Sequence, residues 1–351
     1  MKIERRDSLP RYLEVTAPIL SLGLALFSIA VVFWIYGANP FLTYQKIFRG
    51  AFGSWYGLSE TITKSIPLLL CGVGLAVAFK MGFWNIGAEG QLLIGAVGAT
   101  WVVLYFIPNA PFWVMLTVMF CIGFVAGAGW GLVPALLKAK FKVNEVIVSL
   151  MLVYIGSELV NYLVYGPWKS PYEWGFPYST KFPVSAQIPT IPHTRIHYLT
   201  LILALILAIF TYILMRKTKL GYEIEVFGAS PEAARYAGIE STRTILLVMI
   251  ISGGLAGLAG VGEVAGIHHR LMYPSGISPG YGFTAIIVAW LGKLNPLFLI
   301  LAAFLFGGLL VGGDAIQVTL GLPVGVINIF NGVILFFLLA GKFFTQYKLT
   351  K

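Results

Sequence analysis

The chain has 351 residues, 58% of them hydrophobic and 11% charged, with a mean hydropathy of +0.86 and a formal net charge of +10. A soluble globular chain carries roughly a quarter charged residues, so this composition excludes a water-soluble fold and makes lipid the solvent for much of the chain. The positive charges sit between apolar runs, where membrane orientation explains them, and nucleic acid is not an expected partner.

A span needs about 20 apolar residues. Residues 1–16 are basic and precede Ala17 to Tyr36, which carries no charge. No small-residue cleavage site follows, so this run reads as a retained first span behind a cytoplasmic segment. The further runs are Ile66 to Phe79, Gly87 to Ile107, Phe112 to Leu137, Val143 to Tyr165, Tyr198 to Met215, Thr244 to Ile267, Tyr281 to Leu291, Pro296 to Val311 and Val324 to Ala340. The expectation is an all-α polytopic membrane protein of about ten helical segments, forming one membrane domain over residues 1–351. With both termini in the cytoplasm, the Arg216 to Arg243 cluster falls inside and few cations fall outside, as the positive-inside rule requires.

The outer loop, 166–197, holds Pro167, Pro171, Pro177, Pro183, Pro189 and Pro192 between aromatics. It is too rich in proline for a helix and is expected to form an ordered cap or docking surface, with a plain linker as the alternative. Segment eight, Tyr281 to Leu291, is about 16 Å long at about 1.5 Å per residue, half of the hydrocarbon. Segment two, Ile66 to Phe79, also reads as short and leads into Gly82, Gly87 and Gly90. Short glycine-interrupted segments at matching places in two halves, here 17–165 and 198–340, point to inverted repeats around a central site. Glycines four apart, as in Gly123/Gly127/Gly131, Gly253/Gly257, Gly262/Gly266 and Gly308/Gly312, let helices approach closely in lipid.

Three constellations carry candidate chemistry. In Gly82 to Gln91, the polar residues Asn85, Glu89 and Gln91 stand where an apolar run is expected, and a carboxylate in lipid normally faces the bundle interior or a wet path. Phe83 and Trp84 offer stacking faces for a flat ring. The plainer reading is that Glu89 caps a helix start. The second, Gly280 to Thr284, places Tyr281, Phe283 and free backbone N–H groups at a helix start that suits a polar or anionic group, or is a plain turn. The third is cytoplasmic, within 216–243. Ser230 is an N-cap, Pro231 suits the first helical position, Glu232 favours the positive helix end, and Gly238 stops the helix after Ala233, Ala234 and Arg235. The result is a two-turn helix, isolated between long spans, that docks a partner or lies on headgroups.

The stretches Gly228–Ile239, Ser252–Gly260 and Asn85–Gln91 together resemble the permease subunits of bacterial ABC importers, in the branch for simple sugars, nucleosides and branched-chain amino acids. The resemblance covers about residues 58 to 340, and the Asn85–Gln91 stretch resembles the nucleoside-type members more than the ribose-type ones. The resemblance implies a subunit of an ATP-driven importer in the bacterial plasma (inner) membrane, moving a nucleoside or related small polar solute. The partners it implies are a second permease subunit, same or different, an outer solute-binding protein (a lipoprotein) and a cytoplasmic ABC ATPase. By position Ser230 to Gly238 is then the helix that couples ATPase to permease, and 85–91 is substrate path, to which the aromatic faces of Phe83, Trp84, Tyr281 and Phe283 are added from the residues themselves.

The chain has no phosphate loop of the Gly-x-x-x-x-Gly-Lys-Ser/Thr type, so ATP and Mg belong on a partner ATPase, and this chain is expected to be neither an enzyme nor a cofactor carrier. Cys71 and Cys121 lie in apolar runs without disulfide or metal spacing. His193/His197 and His268/His269 lack a third metal ligand. Glu158 and Glu263, within spans, are expected to satisfy helix–helix hydrogen bonds or to snorkel, with gating or proton relay as the alternative. The competing reading of the whole chain is a proton- or sodium-coupled secondary transporter.

Overall fold

The computed structural model describes residues 2–5, 11–323, 325–326, 329–330, 332–334, 336–337, 340–341 and 347–350. In chain order its elements are β1 (Lys2–Arg5), α1 (Arg11–Ile35), α2 (Pro40–Phe52), α3 (Trp55–Lys80), α4 (Ala88–Trp101), α5 (Phe112–Phe141), α6 (Glu145–Tyr165), α7 (Tyr198–Lys217), α8 (Lys219–Ala229), α9 (Pro231–Tyr236), α10 (Ser241–Gly262), α11 (Pro274–Ile277), α12 (Tyr281–Leu291), α13 (Pro296–Leu320) and β2 (Tyr347–Thr350). Wider π-helical turns extend α4 over Val102–Phe106 and α10 over Glu263–His268. Seven helices among the described residues are long and apolar enough to cross a membrane: α3, α4, α5, α6, α7, α10 and α13. Gly23–Ile35 and α2, meeting at a bend of 112°, are long and apolar enough only when taken together as one broken segment. Segment ten, Val324 to Ala340, lies partly outside the described residues.

The chain divides into two compact units. In the unit made of Met1–Leu58 and Gly308–Lys351, the terminal strands β1 and β2 pair antiparallel, Lys2 opposite Thr350 and Arg5 opposite Tyr347. Helix α2 begins where the Asn39 side chain accepts the Phe41 and Leu42 N–H groups, with Pro40 at the first helical position. It was not foreseen, because Thr43, Tyr44, Gln45, Lys46 and Arg49 break its apolar run. Gly50 and Gly312 let it lie against α13: a Cβ on either would come within 2.4–2.5 Å of Ala315 or Ile47.

In the unit Ser59–Gly307, α4, α5 and α10 form the centre. Their contacts are backbone to backbone. A Cβ on Gly95 would stand 2.3 Å from the Gly257 Cα, and one on Gly127 would stand 2.3 Å from the Gly253 carbonyl. The four-residue glycine spacing therefore does what packing in lipid demands of it. The most apolar window of α10 is 78% buried, against 22% for α6 and 28% for α7, so α10 is a core helix and the other two present their sides to lipid.

Segment two is corrected by the structure. It is not a short helix over Ile66 to Phe79 but the full-length α3, Trp55–Lys80. Its first half carries Ser59, Glu60, Thr61, Thr63 and Ser65, all buried, so a polar helical face had read as loop. Segment eight is α12 as predicted, Tyr281–Leu291. The short helix at 230–238 is not isolated either: α8 runs directly into it and packs on it.

Candidate functional site

Two polar clusters lie inside the unit Ser59–Gly307. The first is built by the non-helical stretch between α3 and α4. Asn85 is completely buried and exchanges two amide hydrogen bonds with Gln91, donating to its Oε1 at 3.0 Å and accepting from its Nε2 at 3.1 Å. The same Asn85 Nδ2 also donates to Ser252 Oγ on α10 at 3.0 Å, and Asn85 Oδ1 accepts the Gly87 N–H at 3.0 Å. Ser149 on α6 accepts the Ile86 N–H at 3.2 Å. The side-chain amides of Asn85 and Gln91 are thereby matched, as an unpartnered buried amide would cost about 1–3 kcal/mol.

Glu89, in the first turn of α4, turns to α12, and its Oε2 accepts the Gly282 N–H at 2.7 Å. The carboxylate thus caps the positive end of a helix that is not its own. Gly282 makes this possible, since a Cβ there would stand 2.3 Å from the Glu89 nitrogen. Gly280, at φ +95°, turns the chain into α12, and Ser278 Oγ accepts the Tyr281 N–H at 3.0 Å. The first turns of α4 and α12 therefore meet.

The other members of these motifs do different things. Phe83 is buried in an apolar cluster with Val77, Met81, Met215, Ile224 and Met249. Trp84 is half exposed and packs tilted against Phe79 and Trp290, which stack on each other, with centroids 5.4–5.7 Å apart. Phe283 is exposed at the start of α12.

The second cluster is a cavity of about 200 Å³. Helix α3 contributes Glu60, Thr63 and Lys64, and the proline-rich loop contributes Arg195. The end of α10 supplies Glu263, Ile267 and His268, and the segment through α11 supplies Ser275 to Ile277, Pro279 and Tyr281. Arg195 Nη1 pairs with Glu60 Oε2 at 3.1 Å, and His268 Nε2 lies 3.7 Å from Glu263 Oε2. Glu60 Oε1 is buried and accepts no hydrogen bond from the described residues. Such an oxygen is costly unless a ligand or water donates to it.

The loop that delivers Arg195 is laced to the segment after α10. Ser179 N–H donates to the Leu271 carbonyl at 2.9 Å, Phe182 N–H to that of His269 at 2.7 Å, and Ile188 N–H to that of Ala265 at 2.9 Å. Arg270 pairs with Glu173 at 2.7 Å and sits 5.1 Å over the Tyr178 ring.

Of the residues singled out from sequence, Asn85, Glu89 and Gln91 come together with α10 and α12 but do not line this cavity, whereas Tyr281 and Glu263 do. Glu60, Lys64 and Arg195 were missed. For the first two a signal was present: Glu60 and Lys64 are four apart, on one face of any helix that spans them. Glu158 is engaged by Asn161 at 3.3 Å, one turn on. No group of three or more His, Cys, Asp or Glu side chains converges on a metal-sized site among the described residues.

At the opposite end of α3, the 230–238 stretch folds as its sequence predicts. Ser230 Oγ accepts the Ala233 N–H at 3.2 Å and contacts Glu232 Oε2 at 3.0 Å, and Gly238 follows at φ +72°. The Glu232 carboxyl is held below the usual carboxylate range by its own backbone N–H and the Ser230 hydroxyl. Ala234 is buried, while Glu232, Arg235 and Tyr236 are exposed. Just upstream, Gly228 lies so close to α3 that a Cβ would stand 2.0 Å from the Lys80 carbonyl, and Glu225 sits 3.7 Å from the Lys80 ammonium.

Residues 57–339 match the family described as "Branched-chain amino acid transport system / permease component", and the chain belongs to that family. It is 34% identical to the glucose ABC transporter permease protein TsgB13 of Haloferax volcanii, over 99% of this chain and 93% of that one. It is 33% identical to the guanosine ABC transporter permease protein NupP of Bacillus subtilis, over 93% of each. The nucleoside ABC transporter permease protein NupB of Lactococcus lactis is 31% identical, over 96% of this chain and 94% of that one. The chain is therefore a membrane-embedded permease subunit of an ABC importer, with ATP hydrolysis on a separate chain.

Proposed function

We propose that this subunit admits a nucleoside or a related compound (a purine, a riboflavin-like molecule or a simple sugar) through the cavity at Glu60 and Arg195. The observation that carries the reading is the buried, unpartnered Glu60 Oε1 beside Arg195, which asks for an N–H or O–H donor from outside the chain. Sugars and nucleosides supply such donors in quantity. Relatives named for glucose, guanosine and nucleosides support the same class. A self-contained carrier driven by protons or sodium loses its ground, because the family is one of transport-system permease components and the relatives are ABC permeases.

On this reading the whole chain, 1–351, acts as one permease domain, and the match over 57–339 takes in parts of both compact units. It has ten helical segments in two inverted halves, with both termini in the cytoplasm of a bacterial inner membrane. The meeting of the first turns of α4 and α12, one from each half, supports the inversion. The path continues past Tyr281 into the seam of Phe83, Trp84, Asn85, Glu89, Gln91 and Phe283. The Glu89 cap on Gly282, next to the cavity-lining Tyr281, is its plug.

Partners follow from the exposed faces. Residues Ser230, Pro231, Glu232, Ala233, Arg235 and Gly238, with the buried Ala234 fastening the helix beneath them, engage the ATPase that carries ATP and Mg. Its strokes reach the seam because Gly228 touches the Lys80 carbonyl, just before Met81 and Gly82. The loop aromatics Tyr172, Trp174 and Phe176 are exposed and offer a surface to a lipoprotein solute-binding protein. A second permease subunit completes the pair.

The test is uptake of radiolabelled guanosine and glucose by the complex reconstituted with its ATPase and binding protein. Glu60→Gln is expected to abolish most uptake of the true substrate, and unchanged uptake of both by this variant overturns the reading. Glu232→Lys is expected to leave assembly in the membrane intact while separating ATP hydrolysis from uptake. Solute-stimulated hydrolysis equal to that of the unaltered complex removes the coupling role.

A further inference from the structure

We propose that a second cavity, at the end of the bundle where α3 and α7 finish, holds the phosphate headgroup of an anionic lipid. It measures about 230 Å³ and is lined by Lys80, Tyr212, Arg216, Lys293, Asn295 and Phe298, among others. Three cations face one space. Lys80 has a distant, largely exposed carboxylate partner in Glu225 at 3.7 Å. Among the described residues, Arg216 and Lys293 have no carboxylate within ion-pair distance. Cations gathered in one hollow repel each other, and the arrangement gains most from an anion between them. Arg216 offers the planar fork and Lys293 the point charge that together suit phosphate oxygens.

The turn that presents Lys293 is unusual. Lys293 and Leu294 both adopt the left-handed conformation, φ +53° and +55°, without being glycine. The Trp290 and Ala289 carbonyls accept their N–H groups at 3.0 Å each, and Asn295 Oδ1 accepts the Leu297 N–H at 3.1 Å. A strained turn this well fastened holds the lysine at the cavity instead of letting it swing into solvent.

The surroundings choose a lipid over a free ion. Above the cavity, Ile213, Phe210, Ile209 and Ile206 on α7 are exposed, as are Phe298, Leu301 and Leu305 on α13. Both apolar rows begin at the basic hollow and run away from it, as acyl chains would below a headgroup. Basic pockets between spans at the membrane surface are the expected receptors for acidic headgroups.

Native mass spectrometry of the purified full chain, titrated with phosphatidylglycerol and separately with phosphatidylcholine, tests this. The unaltered chain is expected to retain one phosphatidylglycerol preferentially. At roughly fivefold per charge, R216Q with K293Q should weaken that retention by about 25-fold, while R216K with K293R should keep most of it and shows that the fold is intact. Lys140→Gln, at the exposed end of α5, should change nothing. Equal retention by the charge-removing variant, or an equal loss with Lys140→Gln, overturns the proposal. Displacement of the lipid by millimolar inorganic phosphate reassigns the hollow to a free anion. Unchanged lipid retention with lost co-purification of the ATPase reassigns it to a protein contact, and either result likewise overturns the lipid site.

Discussion

The junction at Asn85, Gln91 and Ser252 and the cavity at Glu60 and Arg195 are both polar clusters sunk among apolar helices, yet their hydrogen-bond accounts differ. At the junction each amide finds a partner within about 3 Å, and the carboxylate of Glu89 is spent on the Gly282 N–H. At the cavity one oxygen of Glu60 is left bare. A polar cluster that satisfies itself offers no open acceptor to a visitor, and as the plugged stretch of the proposed path it fixes helices in register. A cluster that leaves a strong acceptor open is stable only in exchange with something that enters. The difference separates a structural lock from a receiving site without any appeal to where either lies along the sequence.

Five substitutions, at four positions, would break or sharpen that contrast. The largest effect is expected from Glu60→Gln in the reconstituted complex. Losing a charge-assisted contact to solute and to Arg195 should lower uptake by roughly 10- to 150-fold, with little change in thermal unfolding. If unfolding shifts and uptake does not, the two clusters have been assigned the wrong way round. Asn85→Leu should do the reverse. It strands Gln91 and Ser252 and should cost about 1–3 kcal/mol of stability, measured as the unfolding midpoint in detergent. Glu89→Gln keeps an acceptor for the Gly282 N–H, so its stability loss should stay within about 1 kcal/mol, whereas Glu89→Ala should approach that of Asn85→Leu. The smallest effect belongs to Tyr281→Phe, which keeps the ring at the cavity wall. A few-fold change in the half-saturating solute concentration is expected, with no loss of maximal rate.

The membrane class, most spans and α12 itself were legible, because long apolar runs and an eleven-residue remnant admit few other structures. So was the 230–238 helix, whose Ser-Pro-Glu start and glycine stop are local chemistry. The first half of α3 was not. Window hydropathy treats Ser59, Glu60, Thr63 and Lys64 as loop, although a helix surrounded by other helices turns such a face inward. The bent α2 was lost for the same reason. At the site, Asn85, Glu89 and Gln91 were recognised as out of place in an apolar run, but sequence could not show that they would quench one another. Arg195 was hidden for a different reason: it reaches Glu60 across 135 positions, and no local pattern encodes that encounter.

The glycine seams between α10 and its neighbours α4 and α5 have a mechanical consequence. Where Gly95, Gly127, Gly253 and Gly257 let main chains touch, no side chains are available to slide or change rotamer. Three helices joined this way behave as a single stiff plate. On the proposed reading, a transport cycle then moves the parts packed around this plate, the α11–α12 segment and α8–α9, while the plate itself stays fixed.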